Sequence, residues 1–170
     1  MKIYDDNLSY LEVKSIYTQC VYERKTYRLD RDKKNTYHNA IASELPKTDP
    51  LFDRFYKIIN SHEPNLKLEN LQRAGINLYL PNTKMFHHTD GPVITTLFYI
   101  NPIFDISEGG ETQLVINDEI VCVRPKPGRL VVFDGEIEHI ATSFATMPRI
   151  TIFFKFWKTR DNSSVGRAPS

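Results

Sequence analysis

With 170 residues, 41% of them hydrophobic and 12% aromatic, the chain has enough apolar material for one ordinary globular domain and is excluded from the disordered classes. A net charge of +1, with acids and bases interspersed, gives no field for gripping nucleic acid or an anionic membrane surface, and no apolar run approaches membrane-spanning length. Cys20 and Cys122 lie far apart with no Cys-x-x-Cys, and Met1-Lys2-Ile3-Tyr4-Asp5 has no leader character, so the expectation is a reducing, cytoplasmic setting.

The chain opens on a short apolar strand, Lys2-Ile3-Tyr4. Asp5, Asp6 and Asn7 suit the start of a helix whose apolar residues are Leu8, Leu11, Val13 and Ile16. Residues 25–31 read as a strand. The polar stretch 32–47 reads as a loop over the site, and its His38, with no partner at ligand spacing, reads as a surface residue. Asp49 as N-cap and Pro50 in the first turn introduce Leu51, Phe52, Phe55, Ile58 and Ile59 at helical intervals, and this helix stops before Pro64.

From Leu66 onward the apolar pattern has period two. It predicts strands over residues 75–80, 84–90, 93–101, 111–116, 119–123, 129–133, 139–144 and 149–157, separated by turns such as Gly109-Gly110, Asn117-Asp118 and Asp134-Gly135. Short strands with no helices between them cannot form a parallel βαβ sheet. They predict a mainly β fold, an antiparallel double sheet or jelly roll (double-stranded β-helix), with the two N-terminal helices packed on one sheet. Residues 1–160 would form this single domain, and the polar tail 161–170 is expected to be disordered. Asn162-Ser163-Ser164 in that tail has the spacing of a glycosylation acceptor, which matters only in a secreted protein.

On a strand through residues 84–90, His88 and Asp90 share a face and Thr89 points away. Two imidazoles and a carboxylate leave coordination positions open, the set used for non-heme ferrous iron that must also bind an organic cosubstrate and dioxygen. His139, brought back by a later strand, supplies the third ligand. Counting from His87 instead would put Thr89 in the carboxylate's place, and a hydroxyl cannot substitute, so His87 is expected to face the other way.

Residues 74–157 resemble the ferrous-iron and 2-oxoglutarate-dependent dioxygenases, in particular the prolyl 4-hydroxylase-like branch. His88-Thr89-Asp90 is similar to that family's His-x-Asp, His139 to its distal histidine, and Arg149 to the anchor for the cosubstrate's far carboxylate. Thr151 stands at the Arg-x-Ser/Thr spacing. Ser107-Glu108-Gly109-Gly110-Glu111-Thr112 resembles the branch's Gly-Gly-Glu-Thr turn, and the segment from Pro125 to Phe133 its hairpin before the distal histidine. Tyr79 and Tyr99 occupy positions where relatives place cosubstrate-contacting tyrosines. Many animal prolyl hydroxylases have lysine at the anchor position, so Arg149 points away from that subgroup and not from the chemistry.

The resemblance implies Fe(II), 2-oxoglutarate and dioxygen, with ascorbate as a further candidate. It also implies hydroxylation of a protein, peptide or amino-acid substrate, coupled to decarboxylation of 2-oxoglutarate to succinate. A guanidinium at Arg149 suits a carboxylate because it is permanently charged and donates two parallel hydrogen bonds. Two alternatives stand beside this reading. A nucleobase demethylase of the same superfamily shares Asn77-Leu78-Tyr79, but its anchor strand continues Arg-x-Asn-x-Thr-x-Arg, where this chain has Thr151, Phe153 and Lys155. A non-catalytic jelly-roll binding protein would bind no ferrous iron at all.

Overall fold

The computed structural model describes residues 1–24, 26–31, 37–103, 105–160 and 162–165. Their elements run β1 (Lys2–Tyr4), α1 (Tyr10–Thr18), β2 (Arg28–Arg31), β3 (Tyr37–Glu44), α2 (Pro50–His62), β4 (Leu71–Tyr79), β5 (Val93–Tyr99), β6 (Thr112–Ile116), β7 (Glu119–Val123), β8 (Leu130–Asp134), β9 (His139–Ala141) and β10 (Arg149–Trp157). Seven strands form an antiparallel sheet in the order β1-β8-β5-β10-β4-β3-β2, and three form a second, β7-β6-β9. Neither sheet closes on itself, and the two face each other in the expected jelly-roll arrangement.

Strand β10 shows how sequence alternation builds both layers. Ile150, Ile152, Phe154 and Phe156 lie in one core with Leu51, Phe52, Phe55 and Ile59 of α2 and with Ile16 of α1. Ring contacts at 5.1 Å (Phe52 to Phe154) and 4.7 Å (Phe55 to Phe98) lock α2 onto the sheet. Burying side chains of this size stabilises by roughly 1.5–3 kcal/mol each, so packing holds the helix in place more than propensity does. On the opposite face of the same sheet, Phe153 joins Leu97, Tyr99, Val131 and Phe133, and Leu114 and Val123 from the small sheet complete this second core.

The helices begin for local reasons. Asp49 Oδ1 accepts from the Leu51 amide at 2.9 Å and Pro50 occupies the first turn, as its fixed φ favours. Helix α1 is capped by Ser9, not by the acids before it. Ser9 Oγ accepts from the Glu12 amide, and the Glu12 carboxylate accepts from the Ser9 amide at 2.7 Å, a reciprocal capping box. Asp5 instead takes two hydrogen bonds from the Arg129 guanidinium, at 2.7 and 3.0 Å.

Two expectations are corrected. Much of the stretch read as a loop over the site is β3, which pairs with β4 from Ile41↔Leu78 to Glu44↔Gly75; residues 32–36 and the His38 side chain lie outside what is described. The supposed strand over 84–90 is irregular backbone with a single bridge, His88↔His139. In the tail, residues 162–165 form a turn: Asn162 is wholly buried, accepts from the Thr159 amide and donates to the Trp157 carbonyl at 3.0 Å, and Val165 joins the main core. An amide so engaged is not presented for modification. Residues 161 and 166–170 lie outside the described set. Among the described residues, no helix is long and apolar enough to cross a membrane.

Candidate functional site

His88 and His139 are directly opposite one another, each amide donating to the other's carbonyl at 2.9 Å. Asp90 is fixed by its own amide, which donates to the Gly135 carbonyl at 2.7 Å. These contacts bring one donor atom from each of His88, Asp90 and His139 within 4.8 Å of the others. His88 Nε2 is 3.8 Å from Asp90 Oδ1, and His139 Nε2 is 3.7 Å from Asp90 Oδ2.

The far nitrogens of both rings meet carbonyls: His88 Nδ1 is 3.2 Å from the Phe86 oxygen, and His139 Nδ1 is 2.8 Å from the Ile137 oxygen. A carbonyl only accepts, so Nδ1 carries the proton in each and, in the neutral ring, Nε2 turns a lone pair toward the shared space. That is the tautomer a metal ligand requires. His87 lies outside the group, half-exposed, with Nδ1 3.9 Å from a Glu138 carboxylate oxygen. His88, and not His87, thus shares a space with Asp90 and His139, although the backbone there is not a strand.

Asp90 is held by two side chains whose part was not read from the sequence. Thr95 Oγ1 donates to Oδ2 at 2.6 Å and Lys155 Nζ donates to Oδ1 at 2.7 Å. The carboxylate is only 5% exposed. Burial pushes its pKa up, but the charges of Lys155 and His139 and the hydrogen bonds from Lys155 and Thr95 outweigh burial and hold it down at about 2.

Arg149 is wholly buried. Its Nε donates to the Gly110 carbonyl at 2.8 Å, and Nη2 donates to Thr112 Oγ1 at 3.0 Å. The Tyr79 and Tyr99 rings flank the guanidinium, 5.1 and 5.3 Å from its carbon. The Tyr99 hydroxyl is occupied by Thr112 Oγ1 at 2.7 Å and the Val123 carbonyl at 3.1 Å, so this tyrosine offers its ring more readily than its oxygen. Asn101 fixes the start of β10, accepting from the Ile150 amide and donating to the Pro148 carbonyl, both at 2.8 Å. Among the described residues, Arg149 Nη1 and Thr151 Oγ1 are buried without a hydrogen-bond partner.

Leaving a buried guanidinium nitrogen unsatisfied costs about 1–3 kcal/mol or more, so two such atoms on one strand face mark a place for an acceptor. Arg149 and Thr151 stand at i and i+2, on the same side of β10. Charge on one and a hydroxyl on the other suit a carboxylate. The structure thus holds a three-donor cluster that suits a cation and, on β10, a buried guanidinium and hydroxyl that suit an anion.

A family model described as aspartyl/asparaginyl beta-hydroxylase matches residues 10–159. Among solved structures, the chain is similar to a prolyl hydroxylase from Trichoplax adhaerens in complex with a hypoxia inducible factor oxygen degradation domain peptide fragment. That match has a TM-score of 0.79 at 14% identity, covering 95% of this chain and 85% of that one. It is similar to a Pseudomonas putida prolyl-4-hydroxylase with a TM-score of 0.76, at 18% identity and 92% of both chains. A third is the viral collagen prolyl hydroxylase of Paramecium Bursaria Chlorella virus-1 in a 2OG complex, with a TM-score of 0.64 at 17% identity over 91% of this chain and 93% of that one. At these identities the likeness is one of fold. No curated protein matches the chain in sequence.

Proposed function

The chain belongs to the aspartyl/asparaginyl beta-hydroxylase family, and on that premise we propose that His88, Asp90 and His139 hold a ferrous ion while Arg149 anchors 2-oxoglutarate. It is an oxidoreductase of the 2-oxoglutarate-dependent dioxygenase type. The reading of substrate is a protein, peptide or amino-acid side chain, hydroxylated in the manner of the prolyl hydroxylases it resembles. Residues 1–160 carry this activity as one domain.

One observation supports the cosubstrate assignment above the others. The orphaned Nη1 of Arg149 and Oγ1 of Thr151 are both buried and stand two residues apart on one face of β10, and a dicarboxylate's far end would satisfy both. Gly110 and Thr112 take the other side of the guanidinium and so aim its free nitrogen. At the cluster, Nε2 of both imidazoles and an ionised carboxylate are the donors that ferrous iron accepts. When bound, iron and 2-oxoglutarate together activate dioxygen, yielding succinate, carbon dioxide and the hydroxylated substrate. The protein supplies orientation and shelter. Tyr79 and Tyr99 wall the anchor from water, and Thr95 and Lys155 keep Asp90 ionised and still.

A peptide substrate is supported by the Trichoplax relative, whose structure holds a peptide fragment. Anaerobically purified protein, reloaded with ferrous iron, is to be assayed for succinate release from 2-oxoglutarate. The panel covers prolyl, aspartyl and asparaginyl peptides, free amino acids and methylated oligonucleotides. Peptide- or amino-acid-stimulated release that stops on chelation is the expected result. Stimulation by the oligonucleotides alone would overturn the substrate class, and full activity after exhaustive chelation would overturn the metal.

A further inference from the structure

Strand β10 carries two cations on one face, Arg149 and Lys155. Arg149 is the anchor already described. Lys155 meets the metal cluster instead, with its ammonium 2.7 Å from Asp90 Oδ1 and 5.3 Å from the Phe153 ring centroid. Register places it directly opposite Thr95 on β5. These cross-strand neighbours divide the Asp90 carboxylate between them, Thr95 taking Oδ2 and Lys155 taking Oδ1. Thr95 is neutral and leaves the carboxylate's charge whole. Lys155 neutralises it.

A divalent cation between His88, Asp90 and His139 draws on the same negative charge, because Asp90 is the cluster's single anion. Two cations then share one buried carboxylate. Without metal, Lys155 removes the cost of an uncompensated buried charge. With metal, it withholds part of the carboxylate's attraction and adds its own repulsion.

We propose that Lys155 is a positioning residue that serves as a resident counter-ion for Asp90. It keeps the metal-free site folded and oriented, and it competes with the metal, so that affinity stays below what two histidines and an aspartate alone would give. The site is thereby able to load and release its ion without unfolding. This inference rests on reading the cluster as a metal site.

The test uses the full chain at fixed pH, with Mn2+ as probe and its free-ion EPR signal as readout, and thermal melts run in parallel. Wild type binds one Mn2+, and His139→Ala loses it. Lys155→Met melts lower than wild type when metal-free but binds Mn2+ about tenfold or more tightly, the worth of one charge-assisted hydrogen bond no longer shared. Lys155→Arg restores both properties. A merely structural lysine would move stability and affinity down together, so equal or weaker binding by Lys155→Met, or failure of Lys155→Arg to restore wild-type behaviour, overturns the proposal. If Lys155→Met is unfolded without metal, refolding on Mn2+ addition is the limiting form of the expected result, and failure to refold overturns it. No binding by wild type, or undiminished binding by His139→Ala, removes the metal-site reading itself and this proposal with it.

Discussion

Arg149 Nη2 donates to Thr112 Oγ1 across thirty-seven residues of chain, at 3.0 Å and fully buried, so the small sheet aims the anchor that the large sheet carries. Thr112→Val keeps shape and removes the acceptor. A hydrogen bond to a charged group contributes about 1.5–3 kcal/mol, so the Michaelis constant for 2-oxoglutarate rises about tenfold or more while metal affinity stays put. Steady-state kinetics and a metal titration on the same preparation check this, and an equal loss in both would mean that the sheet has shifted instead.

Removing the anchor itself is more costly. Arg149→Gln leaves His88, Asp90 and His139 in place but orphans the far carboxylate of 2-oxoglutarate. Losing a buried charge partner costs about 3–5 kcal/mol, a hundredfold or more in the Michaelis constant. A 2-oxo acid lacking a far carboxylate loses much less. Titrating both cosubstrates against both proteins decides the matter, since parallel losses would make Arg149 a structural residue.

The adjacent histidines separate cleanly. His88→Ala and His139→Ala each abolish metal binding, whereas His87→Ala, whose contact is a half-exposed pairing with Glu138, retains most of it. Metal content after dialysis reads the result. A His87→Ala protein devoid of metal would reverse the assignment of faces.

Gly110 has φ +83°, and a Cβ placed there would sit 2.4 Å from the Phe144 ring. Its carbonyl receives Arg149 Nε. Gly110→Ala combines left-handed backbone strain with overpacking, each about 1–3 kcal/mol, so the melting temperature falls by about 5–15 °C. Weakened 2-oxoglutarate binding accompanies the fall; differential scanning calorimetry with and without cosubstrate measures both.

Cys20 is buried among the core side chains, and burial pushes its thiol up to about 12; Cys122 is exposed. The thiolate is the reactive form. One equivalent of a disulfide reagent therefore reacts quickly with native protein at neutral pH and a second only after denaturation. Two fast equivalents would contradict the packing of Cys20.

Much of this site is written in strand alternation. Spacing alone puts Arg149, Thr151 and Phe153 on one face of β10 and Ile150 with Ile152 on the other; the isoleucines lie in the main core and Phe153 in the second. The same alternation carries Lys155 onto the face of Arg149, a signal present in the sequence. What it could not give was register, because only the pairing Lys155↔Thr95 shows that two residues sixty apart in number converge on Asp90. Strand β3 is illegible in the sequence for a different reason. Its partner β4 determines its conformation, and its own polar composition carries no alternation to read. The period-two pattern predicts a strand over residues 84–90 and with it a common face for His88 and Asp90; a single bridge and the amide contact from Asp90 to Gly135 bring the two side chains together without one.

The reciprocal pair of amide bonds between His88 and His139 has a consequence for how the protein breathes. In such a pair the two Cα atoms stay about 5.5 Å apart, and the two backbones cannot part unless both bonds break. Opening at this point is therefore one event, and it scatters the cluster. The amide protons of His88 and His139 become clocks for that event: their exchange with deuterium slows in step with one another when an ion is held and quickens in step when it is gone.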